Sequence, residues 1–295
     1  MIDEIEGVFK HRDLIVFHPF LANAVRSEIL CVFVHCLVKT KRKMKLVIMS
    51  WLKKLFNGVY QDSLLQRDIK RLAGMSEEAV WHHVLNRSLS KEVGSDSLPL
   101  NLGRWAGGAS FFFVLHRILQ TTKPGYVLEM GLGESSKFIS HHAAMEPSLK
   151  QHFIIEHDQN WIDNFEQNYV LDAKSNIEFY DIEDRVDQTD GINGLAYAAI
   201  REEHWLNVDL VVIDGPFGRG EFARSNVLAL VPFLNGSRPF VLLFDDSQRP
   251  GETNTINELM QRLDQAGIKA HRAEYGGSKQ CTVVCSEGHA WLKTL

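Results

Sequence analysis

Residues 127–140 read VLEMGLGESSKFIS. An apolar run ends in an acid, two glycines follow two apart, and a polar, helix-compatible stretch begins at once. That pattern predicts a buried strand turning sharply into a helix, with backbone N–H groups at the turn free to face a small charged ligand. The same turn could also simply connect strand to helix, so the residues downstream of it decide the reading.

Downstream of residue 126 the apolar pattern alternates in short runs. Strands are predicted at 126–130, 151–156, 176–180, 208–214, 239–245, 268–274 and 279–285, with helices at 135–145, 159–170, 192–204, 221–233 and 253–266. The runs at 208–213 and 239–244 are almost wholly apolar, as expected of strands covered by helices on both faces. Strand–helix alternation implies right-handed crossovers and a doubly wound, mostly parallel seven-stranded α/β sheet. Only GGS separates the last two strands, too little for a parallel crossover, so the last strand should be antiparallel.

Upstream, residues 49–103 are predicted to be helical and 104–295 to form the main domain, with an apolar helix at 105–120. Residues 60–93 read as two helices. Leu64, Leu65, Ile69 and Leu72 line the first, Gly74 closes it, and Ser76 caps a second that carries Glu77 and Glu78 in its first turn. Residues 1–48 lack clean periodicity and are expected to be a weakly folded extension, since MSWLKKLFNG from Met49 resembles a protein's start. Trp51, Leu52, Leu55 and Phe56 share one face there, so residues 49–56 could make peripheral contact with an anionic membrane, although packing on their own domain is the simpler expectation.

The 295 residues are 45% hydrophobic and carry a net charge of −5, which gives no sign of a nucleic-acid binder. No apolar stretch approaches the ~20 residues of a membrane span. Cys31, Cys36, Cys281 and Cys285 form no metal-binding cluster and are expected to be free thiols, which suits the cytoplasm, including the inner membrane face.

Dinucleotide sites want a third glycine where this chain has Ser136, and there is no phosphate-cradling lysine of the P-loop type. Glu156, in FIIEHD, ends the next strand and is placed to accept hydroxyls of a ribose. With Glu129 before the turn, these residues resemble the class I S-adenosylmethionine-dependent methyltransferases over 104–285, and in particular bacterial sugar and polysaccharide-cluster O-methyltransferases. The resemblance rests on EMGLGES, IEHD, the GRWA lead-in, IDGPFG and FDDS. It implies that Gly131, Gly133 and Ser135 lie under the methionine part of the cofactor. Glu129 would order the turn or meet the ammonium group, Glu156 hold the ribose, and His157 and Asp181 flank the adenine, with Asp214 also bordering the cofactor.

Asp214, Asp245 and Asp246 end two neighbouring strands. Such carboxylates repel unless a hard divalent cation or arginines offset them. They are similar to the Mg²⁺ site of catechol-type and macrolide-sugar O-methyltransferases, with Asp246 where several relatives have Asn. The chemistry is expected at Asp214, Asp245 and Arg224, and an anionic acceptor at Arg219, Arg224 and Arg249. The general base is not legible; His271 is the nearest imidazole by position. A small-molecule or glycan acceptor and a homo-oligomer are the expected partners. The alternatives are an aminopropyl transferase, a sugar-nucleotide glycosyltransferase with Asp245 and Asp246 as its metal pair, and a catalytically silent partner-binding domain.

Overall fold

The computed structural model describes residues 42–89, 98, 100–186, 191–234 and 238–295, with side chains from residue 64 onward except Val186. Cys31, Cys36, residues 1–41 and the side chains of 49–56 lie outside the described residues, and with them the expectations for the extension and for membrane contact. The chain divides into two units, Met1–Asp68 and Ile69–Leu295, and the sheet and the candidate site belong to the second. Among the described residues, no helix is long and apolar enough to cross a membrane.

Helix α1 spans Arg42–Leu89 and α2 spans Ala109–Thr122. Then come β1 (Tyr126–Met130), α3 (Glu134–Met145), β2 (Gln151–Glu156), α4 (Gln159–Asn168) and β3 (Ser175–Phe179). A hairpin, β4 (Ile182–Val186) and β5 (Asn193–Tyr197), precedes a one-turn α5 (Glu203–Leu206) and β6 (Leu210–Ile213). A 3₁₀ run at Ser225–Phe233 leads to β7 (Val241–Phe244), α6 (Pro250–Gln265), β8 (Ala270–Tyr275), β9 (Cys281–Ser286) and a last 3₁₀ run at Glu287–Thr294.

Seven strands form one sheet in the order β3-β2-β1-β6-β7-β9-β8. β9 is antiparallel to both its neighbours, and the other pairs are parallel, as expected. Alternate residues of each inner strand enter different cores. Val127, Leu210, Leu243 and Val283 pack with Phe111, Phe112 and Leu115 of α2 on one face. Leu128, Val211, Leu242 and Val284 pack with Ile256, Leu259 and Leu263 of α6 on the other. Double coverage is what makes these strands read as unbroken apolar runs. Cys281 and Cys285 are buried free thiols.

Three expectations are corrected. Residues 60–89 belong to one helix, not two. Gly74 does not stop it; a Cβ there would come within 2.7 Å of the Gly277 carbonyl oxygen, so glycine permits close approach of the β8–β9 hairpin. Glu78 is therefore no first-turn acid of its own helix. Its Oε1 accepts from the Ala109 N–H at 2.5 Å, at the start of α2, and its Oε2 accepts from Ser278 N–H at 3.0 Å. The carboxylate thus serves the positive end of another helix. Glu78→Ala should cost about 1–2 kcal/mol, read as a lower denaturant midpoint at unchanged slope.

The helix predicted at 192–204 is instead strand β5 followed by the short α5. The Asn226 side chain accepts from Tyr197 N–H and donates to Tyr197 carbonyl, both at 2.8 Å, replacing the strand partner that an edge lacks. Tertiary context here overrides the helical propensity of the alanines. The helix predicted at 221–233 begins only at Ser225 and is 3₁₀ in form.

Candidate active site

Strand order reverses between β1 and β6, and a crevice at such a switch point is where doubly wound sheets place ligands. The glycine turn follows β1 at that point. Gly131 has φ of 100°, and a Cβ there would meet Gly215 N at 3.0 Å, so both conformation and the neighbouring loop demand glycine. At Gly133 a Cβ would meet nothing within 4 Å, so the turn opens on free space. Ser136, in the place of a third glycine, accepts from Gly133 N–H at 3.0 Å and starts α3, with Ser135 buried beside it. Trp161 of α4 donates to the Leu132 carbonyl at 2.8 Å and braces the turn.

Glu156 clamps the end of β2 to this turn. Its Oε2 accepts from Leu132 N–H at 2.9 Å, and its Oε1 accepts from His157 and Asp158 N–H at 2.6 and 3.0 Å. His157 Nδ1 lies 2.7 Å from the same Oε1. With one protein donor, Oε2 keeps acceptor capacity for a hydroxyl. Glu129 is fully buried. Its Oε2 lies 3.0 Å from His152 Nε2, and His152 Nδ1 lies 3.0 Å from Ser175 Oγ. The other oxygen, Oε1, is buried with no hydrogen-bond partner. An unmatched carboxylate oxygen at this depth is costly unless a donor reaches it.

Aromatic rings lie next to Glu156. The His157 ring meets Phe217 edge-on at 4.8 Å and Tyr197 at 6.1 Å. Burial, then the charge of Glu156, pushes the Tyr197 phenol well above its usual range, so it stays a neutral donor, bonded to the Ile155 carbonyl at 3.3 Å. Asp181 follows β3 and is exposed, its carbonyl taking the Ala198 N–H at 2.7 Å.

Because β6 and β7 are parallel neighbours, Asp214, Asp245 and Asp246 meet. One oxygen from each lies within 4.8 Å of the others, so the group could hold a metal ion. Three basic side chains contact the same carboxylates. Arg224, 3% exposed and at φ of 59°, places Nη2 3.1 Å from Asp214 Oδ1 and 3.7 Å from Asp246 Oδ2. Its Nη1 donates to the Ile213 and Asp245 carbonyls at 3.3 and 2.9 Å, and its Nε lies 3.8 Å from the buried Glu252. Arg249 Nη2 is 2.9 Å from Asp246 Oδ2. Lys279 Nζ is 3.3 Å from Asp245 Oδ2 and 3.5 Å from Asp246 Oδ1.

The structure therefore groups Asp214, Asp245, Asp246, Arg224 and Arg249, and leaves Arg219 apart, exposed and paired with Asp184 on β4. His271 is also apart, on β8 against Glu287. Glu252 and Lys279 belong to the cluster and carry no sequence signal. Each sits in a loop or helix start among other charges, and only the meeting of β7, α6 and the β8–β9 hairpin singles it out.

Burial, then repulsion from Asp245, outweighs Arg224 and raises the Asp214 pKa from 3.8 to about 7; burial likewise raises Asp245. Between about pH 4 and 7 the folded state then keeps a proton on Asp214 that the unfolded chain has lost. This group's contribution to stability falls as pH rises through that window. Asp214→Asn removes the titration, so the melting temperature of the variant relative to wild type should climb between pH 5 and pH 8. Thermal scans across that range check it, and a constant difference would contradict it.

Strand order, antiparallel β9 and the glycine turn at the switch point together define a Rossmann-like methyltransferase fold. No family model and no curated protein matches the chain. Among solved structures, it is similar to the O-methyltransferase TomG from Streptomyces achromogenes in complex with SAM, at 13% identity over 73% of this chain and 98% of that one, TM-score 0.43. It is also similar to the methyltransferase domain of bacterial CtHen1, at 11% over 59% and 97%, TM-score 0.37. A third is spermidine synthase from Thermotoga maritima, at 10% over 60% and 59%, TM-score 0.37. At these scores the likenesses assign neither chemistry nor substrate to this chain, whose fold class rests on its own strand order.

Proposed function

We propose that this protein is an S-adenosylmethionine-dependent methyltransferase that methylates a hydroxyl of a sugar or glycan precursor in the cytoplasm. One observation carries the reading: an open glycine turn lies between two buried carboxylates, each with acceptor capacity left over. Glu129 Oε1 suits an ammonium group, Glu156 Oε2 a ribose hydroxyl, and the space at Gly133 the chain between them. His157, Phe217 and Asp181 then border the purine.

When bound, the cofactor supplies an electrophilic methyl group on a sulfonium. The hydroxyl proton of the acceptor would pass to a cluster carboxylate or to water. The protein's task is to align the oxygen with the methyl group. Asp214 and Asp245, which follow the neighbouring strands, are placed to hold that hydroxyl. A divalent ion at Asp214, Asp245 and Asp246 is the second arrangement, favoured by the grouping of their oxygens.

A polyhydroxylated acceptor is supported by Trp105, 91% exposed in the GRWA segment. The next residue, Ala106, accepts from Lys279 Nζ at 3.0 Å, which ties this segment to the acid cluster. An exposed aromatic ring one residue from that tie suits the apolar face of a sugar ring. Trp105→Ala should leave thermal stability and kcat unchanged and raise acceptor KM roughly tenfold, equivalent to about 1.4 kcal/mol. Calorimetric titration of S-adenosylhomocysteine, followed by methyl-transfer assays with nucleotide sugars and glycan fragments, tests the whole proposal. Failure to bind S-adenosylhomocysteine, with binding of a UDP-sugar instead, would replace it by the glycosyltransferase reading.

A further inference from the structure

Two different cations can satisfy the acid cluster, an added divalent ion or a side chain of the protein. We infer that Lys279 is the cluster's resident cation and stands where a divalent ion would have to bind. Its ammonium donates to Asp245 Oδ2 at 3.3 Å and to the Ala106 carbonyl at 3.0 Å, and it lies 3.5 Å from Asp246 Oδ1 as an ion pair. An ion held by Asp245 and Asp246 would compete with the ammonium for the same two carboxylates, and the lysine, being part of the chain, is always present.

Lys279 is not a loose surface side chain. Only 14% of it is exposed. Its backbone neighbour Gln280 is fixed to the loop that carries the acids. The Gln280 carbonyl accepts from Ser247 N–H at 2.9 Å and from Ser247 Oγ at 3.1 Å, and Gln280 N–H donates to Gln248 Oε1 at 2.9 Å. The β8–β9 hairpin thus delivers the ammonium to Asp245 as part of the fold. The remaining contacts close the other sides, with Arg224 on Asp214 and Arg249 on Asp246. Three buried oxygens of the cluster, Asp245 Oδ1, Asp246 Oδ1 and Glu252 Oε1, have no hydrogen-bond partner.

Lys279 acts through Asp245 and Asp246 and is a positioning residue. On the methyltransferase reading, to which this consequence alone is tied, the acceptor oxygen is oriented by hydrogen bonds and not polarised by a metal. Transfer is then insensitive to chelators.

The test needs neither cofactor nor acceptor. Mn²⁺, an oxygen-seeking stand-in for Mg²⁺, is titrated into the full chain and followed by electron paramagnetic resonance. Wild type should show no saturable site up to on the order of 1 mM. Lys279→Met vacates the space and leaves the carboxylates one cation short, so it should gain one site at least about tenfold tighter, and Mn²⁺ should raise its melting temperature. A wild-type site that Asp245→Asn abolishes would overturn the inference, as would a folded Lys279→Met that binds no ion. If Lys279→Met does not fold, the wild-type titration still decides, beside Lys279→Arg, which should remain ion-free. None of these outcomes bears on whether S-adenosylhomocysteine binds, so this inference and the proposed function fail separately.

Discussion

Arg224→Met is expected to lower stability by about 3–5 kcal/mol, because it strands buried carboxylates without their central partner. Arg224 is 3% exposed, and its guanidinium reaches Asp214, Asp246 and Glu252, while two of its N–H groups hold the carbonyls that end β6 and follow β7. Methionine keeps most of the volume, so the loss reports charge and hydrogen bonding and not a cavity. For a domain of this size the melting temperature should fall by about 10 °C. Arg224→Lys should recover only part, since an ammonium cannot span both carbonyls and three acids. A methionine variant as stable as wild type would show that the guanidinium does not hold the cluster together.

Glu156→Gln is expected to weaken S-adenosylhomocysteine binding by about 2 kcal/mol, roughly thirtyfold, with a smaller effect on folding. The amide keeps one oxygen to accept from the turn. It replaces the other by a donor, where the present carboxylate accepts from Leu132 on one side and from His157 and Asp158 on the other. The ribose then meets either a repelling N–H or an oxygen already in use. Calorimetry of both forms, with the melting temperature measured in parallel, separates lost affinity from lost fold. Equal affinity would place the nucleoside elsewhere and remove the main support for the proposed function.

Much of the sheet was legible because its signals are local. Val127, Leu128, Val211 and Leu242 are apolar since both faces of their strands are covered, and that shows in any short window. Gly131 is required by a φ of 100° that few other residues adopt. Glu156 and Asp214 were found because parallel strands carry their ligand side at their carboxyl ends, so position in the chain implies position in space. The helix expected at 192–204 reflects the propensity of Ala196, Ala198 and Ala199 in isolation, whereas pairing with β4 and the Asn226 side chain on Tyr197 make its first part a strand. Gly74 was misread for the same kind of reason, since the Gly277 carbonyl that excludes a side chain there is remote in sequence.

By itself, then, the sequence determined the seven strands of the main sheet, the glycine turn and the acids at the strand ends, all of which arise from periodicity and from residues whose backbone demands are intrinsic. Only the tertiary structure decided how the charges pair. It sent Arg219 to Asp184, buried Arg224 among four acids and carried Lys279 from the last hairpin to Asp245. Charge partners are chosen by distance and burial between segments far apart in the chain, and neither quantity is written in local pattern.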